Sequence, residues 1–272
     1  MKHKIAVIIT YCTNDYKFIK HCINSVKDFA SEIIVPVSDH FFDGTPENKT
    51  LLQKTFRENP EATFIRFKYG PSNPPILGHW FWKFIPRTGG LRPLFGSVYW
   101  ICKARFIGYR HLSDNIDYVL FLDVDEIIDS NWFKEWLDTD EYKKFGAMKF
   151  TCYAYFRKPI YQATSYYECG LLVKKTAISE KSFFHYGERN YIYAKSSGKK
   201  KGKILGLDGF PMIHHYAWAR PKKEMLKKVG TWGHNKDRNW EKLILKQFSY
   251  QPNEAKFIKS YKCKVVKPYI KF

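Results

Sequence analysis

The sequence has no long hydrophobic run. The N-terminal apolar stretch, Ile5 to Ile9, is too short for a secretory leader and far too short for a membrane span. The expectation is a cytoplasmic protein, soluble or peripheral to a membrane, with no signal peptide and no transmembrane segment. The six cysteines (Cys12, Cys22, Cys102, Cys152, Cys169 and Cys263) form no CxxC pair and no finger spacing, so a zinc site is not signalled. Several lie in apolar stretches, as buried free thiols do, which fits a reducing compartment. There is no GxGxxG and no GxxxxGK[ST], so the dinucleotide and P-loop classes lose support. No internal repeat is visible. Acidic residues are scarce, 26 against 46 Lys and Arg, for a formal net charge of +20. That balance favours polyanionic or phosphorylated partners. The basic residues concentrate at Lys199 to Lys203 and from Lys256 to Lys271.

What the chain does contain is apolar and aromatic. With 272 residues and 44% hydrophobic side chains it can bury a core, and the length suits one large α/β domain or two small ones. Aromatic residues reach 18%. At the rim of a cleft, such side chains suit sugars, bases or lipid headgroups.

Lys4 to Thr10 (KIAVIIT) predicts a buried strand, followed by the polar turn Tyr11 to Asp15. Phe18, Ile19, Cys22, Ile23, Val26 and Phe29 recur at helical spacing, which predicts an amphipathic helix over Asp15 to Ala30, capped by Asn14 or Thr13. Glu32 to Val37 predicts a second strand. Thr45 as N-cap and Pro46 as first helical residue predict a helix through Phe56, and Ala62 to Phe67 reads as a further strand. This alternation predicts a doubly wound, mainly parallel sheet. Residues 70 to 97 break the rhythm. They are rich in proline and glycine and carry Trp80, Phe81, Trp82 and Phe84, which predicts a folded insert or lid.

A helix over Ser97 to Leu112 places Arg105 among apolar neighbours, opposite Lys103 and Arg110. An arginine there needs a partner, or a phosphate in the cleft. Ser130 is suited to cap a short helix through Leu137. Ala147 to Arg157 and Tyr166 to Lys175 read as strands with Pro159 in their connection. Residues 195 to 203 read as a mobile loop. A short strand within Ile204 to Ala219 precedes a basic helix opened by Pro221, a second helix near Asn239 to Phe248, and a basic aromatic tail.

The most informative stretch is Tyr118 to Asp129, YVLFLDVDEIID. An apolar run reading as a strand buried on both faces leads directly into Asp123, Asp125 and Glu126. Acids at the C-terminal end of such a strand lie where open α/β sheets bind ligands. Asp123 and Asp125 point the same way on an extended chain, and a cation between them lets both stay ionised. Hard oxygen ligands suit Mg²⁺ or Mn²⁺. A solvated acidic turn is the plainer alternative. Two other strand ends converge on the same edge and supply Thr10, Tyr11, Asp15, Asp39 and the Asp43-Gly44-Thr45 turn. Together they suit a nucleotide: a carboxylate for a base N–H, backbone groups for a uracil-like edge, and paired acids for a metal on a diphosphate.

The segments SDHFFDGT, ARFIGYRHLSDNIDYVLFLDVDE and, more weakly, HHYAWARPKKEM resemble the pattern of the family 2 type of inverting glycosyltransferase with the GT-A fold, in a bacterial and viral branch. The likeness covers roughly residues 4 to 130 and then the late histidine segment. His40 stands where the family's turn has a second Asp, and Phe106 departs from its helix pattern, so acceptor residues do not carry over. The resemblance implies an α/β GT-A domain over residues 1–220, with 70–97 as insert, and a basic helical extension over 221–272. It implies transfer of a sugar from a nucleotide-sugar donor, UDP-linked, to a glycan, lipid-linked or protein-linked acceptor, with Mn²⁺ or Mg²⁺. Thr10, Tyr11, Asp15, Asp39, Lys103, Arg105 and Asp123 would bind donor, and Asp123, Asp125 and His215 the metal.

An inverting transfer also needs a carboxylate as general base. Glu168, Glu188 and Asp208 are available. Glu188, in the loop-like HYGERN, is preferred over Glu168, which reads as a strand residue, and over Asp208, whose neighbour Gly209 suggests a turn. For the metal or the diphosphate, His234, beside Asp237 and Arg238, is a weaker candidate than His215. The rivals are a sugar-phosphate nucleotidyltransferase, which would want a Gly-rich, Arg-containing loop in place of YCTND, and a non-catalytic polyanion or nucleic-acid-binding module. The acids speak against specific nucleic-acid binding. The basic tail suits peripheral contact with an anionic membrane.

Overall fold

A computed structural model describes residues 3–70, 96–235, 238–251 and 262–272. The sheet begins with β1 (Ile5–Thr10), whose side chains divide by parity. Ile5, Val7 and Ile9 enter one core, and Ala6 and Ile8 enter the other. This is the pattern of a strand covered on both faces. A short 3-10 turn over Thr13–Asp15 leads into α1 (Tyr16–Val26), whose Phe18, Ile19, Cys22, Ile23 and Val26 cover the first face. β2 (Glu32–Ser38), α2 (Lys49–Glu58) and β3 (Thr63–Phe67) follow.

The start of α2 differs from the sequence expectation. Asp43 takes both the N–H and the hydroxyl of Thr45, at 3.0 and 2.8 Å, and Asn48 is the cap, accepting from Leu51 N at 3.0 Å. Pro46 therefore precedes the helix in a bridge with His40. The expected lid with Trp80, Phe81, Trp82 and Phe84 falls on residues 71–95, outside the described residues.

α3 (Ser97–Arg110) covers the second face, and β4 (Tyr118–Asp123) lies parallel beside β1 in register Thr10↔Asp123. Gly108 is where α3 meets the sheet. A Cβ there would sit 2.7 Å from Ile8 Cγ2 and 3.5 Å from Pro36 Cγ. Gly108→Ala is therefore expected to lower stability by about 1–3 kcal/mol, read from urea unfolding, through overpacking. An unchanged midpoint would show that this contact is not tight.

After the acids, Glu126–Ile128 forms β5, and Asp129, not Ser130, caps α4 (Ser130–Asp138) by accepting from Trp132 N at 3.2 Å. β6 (Ala147–Phe156), β7 (Lys158–Ala163) and β8 (Tyr167–Lys174) continue the sheet, with β8 antiparallel to β4. Pro159 thus lies inside a strand rather than in the connection. Glu188, expected in a loop-like segment, instead opens a helix, α5 (Glu188–Lys195). The expected mobile loop at 195–203 contains a strand, β9 (Lys200–Ile204), parallel to β6. Its backbone is paired while Lys200, Lys201 and Lys203 face outward, so the charge run hid the strand.

β10 (Ile213–Trp218) lies between β5 and β6. α6 (Lys222–Thr231), α7 (Trp240–Phe248) and β11 (Cys263–Val265) complete the chain. The strand order is β11-β7-β6-β8-β4-β1-β2-β3. The β3-β2-β1-β4 half is parallel, and the half beyond β4 is mixed. This is an α/β layout of the kind expected, with the parallel half as expected and the other half mixed. The residues after 220 pack on the sheet: Met225, Val229, Trp240 and Ile244 share a core with Phe156, and Ile270 joins the main core. All six cysteines are free thiols. Among the described residues, no helix is long and apolar enough to cross a membrane.

Candidate active site

A cleft of about 310 Å³ opens at the C-terminal ends of β1 and β4. Register places its acids. Thr10 pairs with Asp123 across the sheet, and antiparallel β10 sets His215 opposite Glu126. Tyr216 N donates to the Asp125 carbonyl at 2.8 Å. The β5–β10 pair therefore brings His215 Nε2 to 3.3 Å from Asp125 Oδ1.

Two ion networks line this cleft. In the first, Arg105, fully buried in α3, joins the Asp123 carboxylate to that of Glu188. Arg189 donates to Asp123 Oδ2 at 2.8 Å and to both oxygens of Glu126 at 2.8 and 3.0 Å. Burial pushes the Asp123 carboxyl up, but Arg189 and Arg105 outweigh it and hold it below the usual range.

In the second network, Arg220, fully buried, bonds Asp15 and reaches Asp125 Oδ2 at 3.1 Å. Lys228 of α6 approaches Asp15 at 3.2 Å and Asp125 Oδ2 at 2.5 Å. Asp125 is 2% exposed. Burial pushes its carboxyl up, and Lys228, His215 and Arg220 together hold it well below the usual range.

The two adjacent histidines point to opposite sides of β10. His214 is buried against Tyr269 at 3.9 Å and shares a hydrogen bond with Tyr155 Oη at 2.6 Å. Burial lowers it to about 3, so it stays neutral and structural. His215 lines the cleft, with Nδ1 on the Tyr167 hydroxyl. Burial lowers it, but hydrogen bonding to Asp125 and the surrounding negative charge raise it overall to about 10.

Of the other expected residues, Thr10, Tyr11, Asp15, Glu168 and Glu188 line the cleft, as His234 does. Thr10 Oγ1 is buried without a hydrogen-bond partner among the described residues, and the Tyr11 hydroxyl is 2.9 Å from Thr55 Oγ1. Asp39, Lys103 and Asp208 do not line it. Asp39 accepts from Tyr69 N at 2.7 Å and from His40 Nδ1 at 2.9 Å at the end of β2. Lys103 lies over the Trp100 ring at 4.6 Å. Asp208 accepts from Phe210 N at 2.9 Å in an exposed turn. Asp237 lies outside the described residues.

Sequence reasoning missed Arg189, Lys228 and the contact of Tyr167 with His215, and it did not single out Arg220. Lys228 had a signal. It lies between Met225 and Val229 on the buried face of α6, where a solvated lysine does not belong.

The donor set can be tested against a divalent ion. Among the described residues no group of three or more His, Cys, Asp or Glu is arranged to hold one. Asp123 has both oxygens on arginines. Asp125 Oδ1 and His215 Nε2 face each other 3.3 Å apart, and an ion held there would have to replace the proton on Nε2. Neighbouring ligands of an octahedral ion with bonds of roughly 2.1 Å stand about 3.0 Å apart, and such ions are commonly held by one or two protein groups plus substrate phosphates. The pair fits an ion shared with a diphosphate, rather than one caged by the protein alone.

No family model and no curated protein matches the chain. Similar solved structures include 4-diphosphocytidyl-2C-methyl-D-erythritol synthase from Anaerococcus prevotii, at 10% identity and TM-score 0.46, covering 84% of this chain and 97% of that one. S. aureus TarS 1-349 in complex with UDP-GlcNAc is 12% identical with TM-score 0.44, covering 78% of this chain and 58% of that one. TarS 1-349 alone is 13% identical with TM-score 0.42, covering 94% and 75%. At these identities and scores, the likenesses decide nothing about the chemistry of this chain.

Proposed function

We propose that the protein is an inverting glycosyltransferase that moves a sugar from a nucleotide-sugar donor, of the UDP class, to a hydroxyl of a glycan, lipid-linked or protein-linked acceptor. The observation that carries this reading is the meeting of Asp125 and His215. They come from separate motifs of the family 2 pattern and stand 3.3 Å apart in one cleft.

In this reading the backbone at Thr10 and Tyr11 meets the nucleoside end. Asp125 and His215 would hold Mn²⁺ or Mg²⁺, which when bound would supply charge stabilisation for a leaving diphosphate. Lys228 and Arg189, both lining the cleft, add fixed positive charge near that oxygen. Asp123 orients the arginines instead of touching the ion. The chain after β1 turns through Tyr11-Cys12 into a 3-10 turn, with no Gly-rich, Arg-bearing loop, which speaks against nucleotidyl transfer.

The test is a panel of UDP-, GDP- and CDP-sugars with Mn²⁺, reading release of the nucleoside diphosphate. Release of UDP from at least one UDP-sugar is expected. Pyrophosphate formed from UTP and a sugar 1-phosphate, without such release, would contradict the proposal.

A further inference from the structure

A transferase of this kind has to take a proton from the acceptor hydroxyl, and the cleft contains five carboxylates: Asp15, Asp123, Asp125, Glu168 and Glu188. Four are ion-paired. Asp15 and Asp125 meet Arg220 and Lys228, Asp123 meets Arg105 and Arg189, and Glu188 meets Arg105. A carboxylate whose lone pairs face a guanidinium or ammonium is a weak base. Among the described carboxylates lining the cleft, Glu168 alone has no ion pair within 4 Å; Lys149, the cation that feels its charge, is held on Asn190 instead. Its Oε1 accepts from the backbone N–H of Lys203 at 2.8 Å, and it is exposed to the cleft.

The segment that holds Glu168 is shaped around it. β9 bulges against β6, with Gly202 and Lys203 both falling between the pairs Met148↔Lys201 and Phe150↔Ile204. Lys203 has φ 54, a left-handed conformation that costs a non-glycine residue free energy. A Cβ at Gly202 would lie 2.5 Å from Glu168 Oε1. Bulge, strained φ and glycine all serve one contact: they aim a single N–H at one oxygen and, among the described residues, leave the other oxygen without a protein partner. The neighbouring residue on β8, Tyr167, fixes His215 through its hydroxyl. One strand thus supports both the proposed ion ligand and Glu168.

We infer that Glu168 is the general base, held in place by the Gly202–Lys203 bulge, and that Glu188 is a partner of Arg105. The inference rests on the proposed sugar transfer. As the acceptor oxygen forms its bond to the anomeric carbon, its proton passes to Glu168. The bond from that carbon to the diphosphate oxygen breaks, and its electron pair leaves with the nucleoside diphosphate.

The experiment compares the parent protein with Glu168→Gln, Gly202→Ala and Asp208→Asn on the UDP-sugar that the parent turns over. Calorimetry of UDP with Mn²⁺ is run on each. Glu168→Gln is expected to lower kcat by about 10²–10⁴-fold. UDP affinity should be unchanged. Gly202→Ala should lower kcat in the same direction with UDP affinity kept, and Asp208→Asn should match the parent. Near-parental kcat in Glu168→Gln, or a loss explained by weaker UDP binding, overturns the assignment. If the parent turns over no UDP-sugar, the transferase reading itself fails, and the base assignment with it.

Discussion

Replacing Arg220 by methionine is expected to cost the protein about 3–5 kcal/mol of stability, the range for breaking a buried ion pair by removing one partner. Arg220 is fully buried. It donates to the Ala217 carbonyl at 2.9 Å, to the Asn14 carbonyl at 3.2 Å, and to the carboxylates of Asp15 and Asp125. It ties the end of β10 to the turn after β1 and to the acids after β4. Methionine fills much of the same space, so the loss isolates charge and hydrogen bonding rather than a cavity. Two buried carboxylates would be left with Lys228 as their main counter-charge. At ~2–4 °C per kcal/mol for a chain of this size, the melting temperature should fall by roughly 10 °C. A fall of under 2 °C would show that the network does not depend on Arg220.

The second large effect is on binding. Asp125→Asn keeps the shape of the side chain and removes its charge. Lys228, Arg220 and His215 then face a neutral amide, and the oxygen proposed to hold the ion loses its charge. UDP with Mn²⁺ should bind at least ~100-fold more weakly, about 2.7 kcal/mol. Circular dichroism on the same sample checks that the sheet persists. Asp123→Asn provides the contrast. Both Asp123 oxygens are engaged by Arg105 and Arg189, so its loss should register first as instability.

Much of the fold was legible because parity and period are local. The alternation Ile5, Val7, Ile9 against Ala6, Ile8 marks a strand buried on both faces, and the spacing of Phe18, Cys22 and Val26 marks α1. The acids after β4 were legible for the same reason. Partner choice was not. Nothing in the sequence near Asp123 says that Arg189 will meet it, because that contact needs α5 seated over the end of β4. Thr45-Pro46 has good helix-opening chemistry, yet Asp43 captures Thr45, and Glu47 turns inward to accept from Thr13 N at 3.0 Å. The KKKGK run carried the signature of a solvated loop, since its side chains are solvated. Its backbone nevertheless pairs with β6, and that pairing placed Gly202 and Lys203 against Glu168. The preference for Glu188 as base came from its polar surroundings. The structure supplies those surroundings with Arg105, a residue more than eighty positions earlier in the chain.

In the proposed transferase, Asp125 and His215 would hold an ion jointly with a nucleoside diphosphate. That arrangement is tested most directly by calorimetric titration of UDP into the parent protein with and without Mn²⁺, and into His215→Ala with Mn²⁺. The expected result is binding by the parent only when UDP and Mn²⁺ are present together, little uptake of Mn²⁺ alone, and loss of binding in His215→Ala. Equal UDP binding in the absence of any divalent ion, or undiminished binding by His215→Ala, would contradict the account.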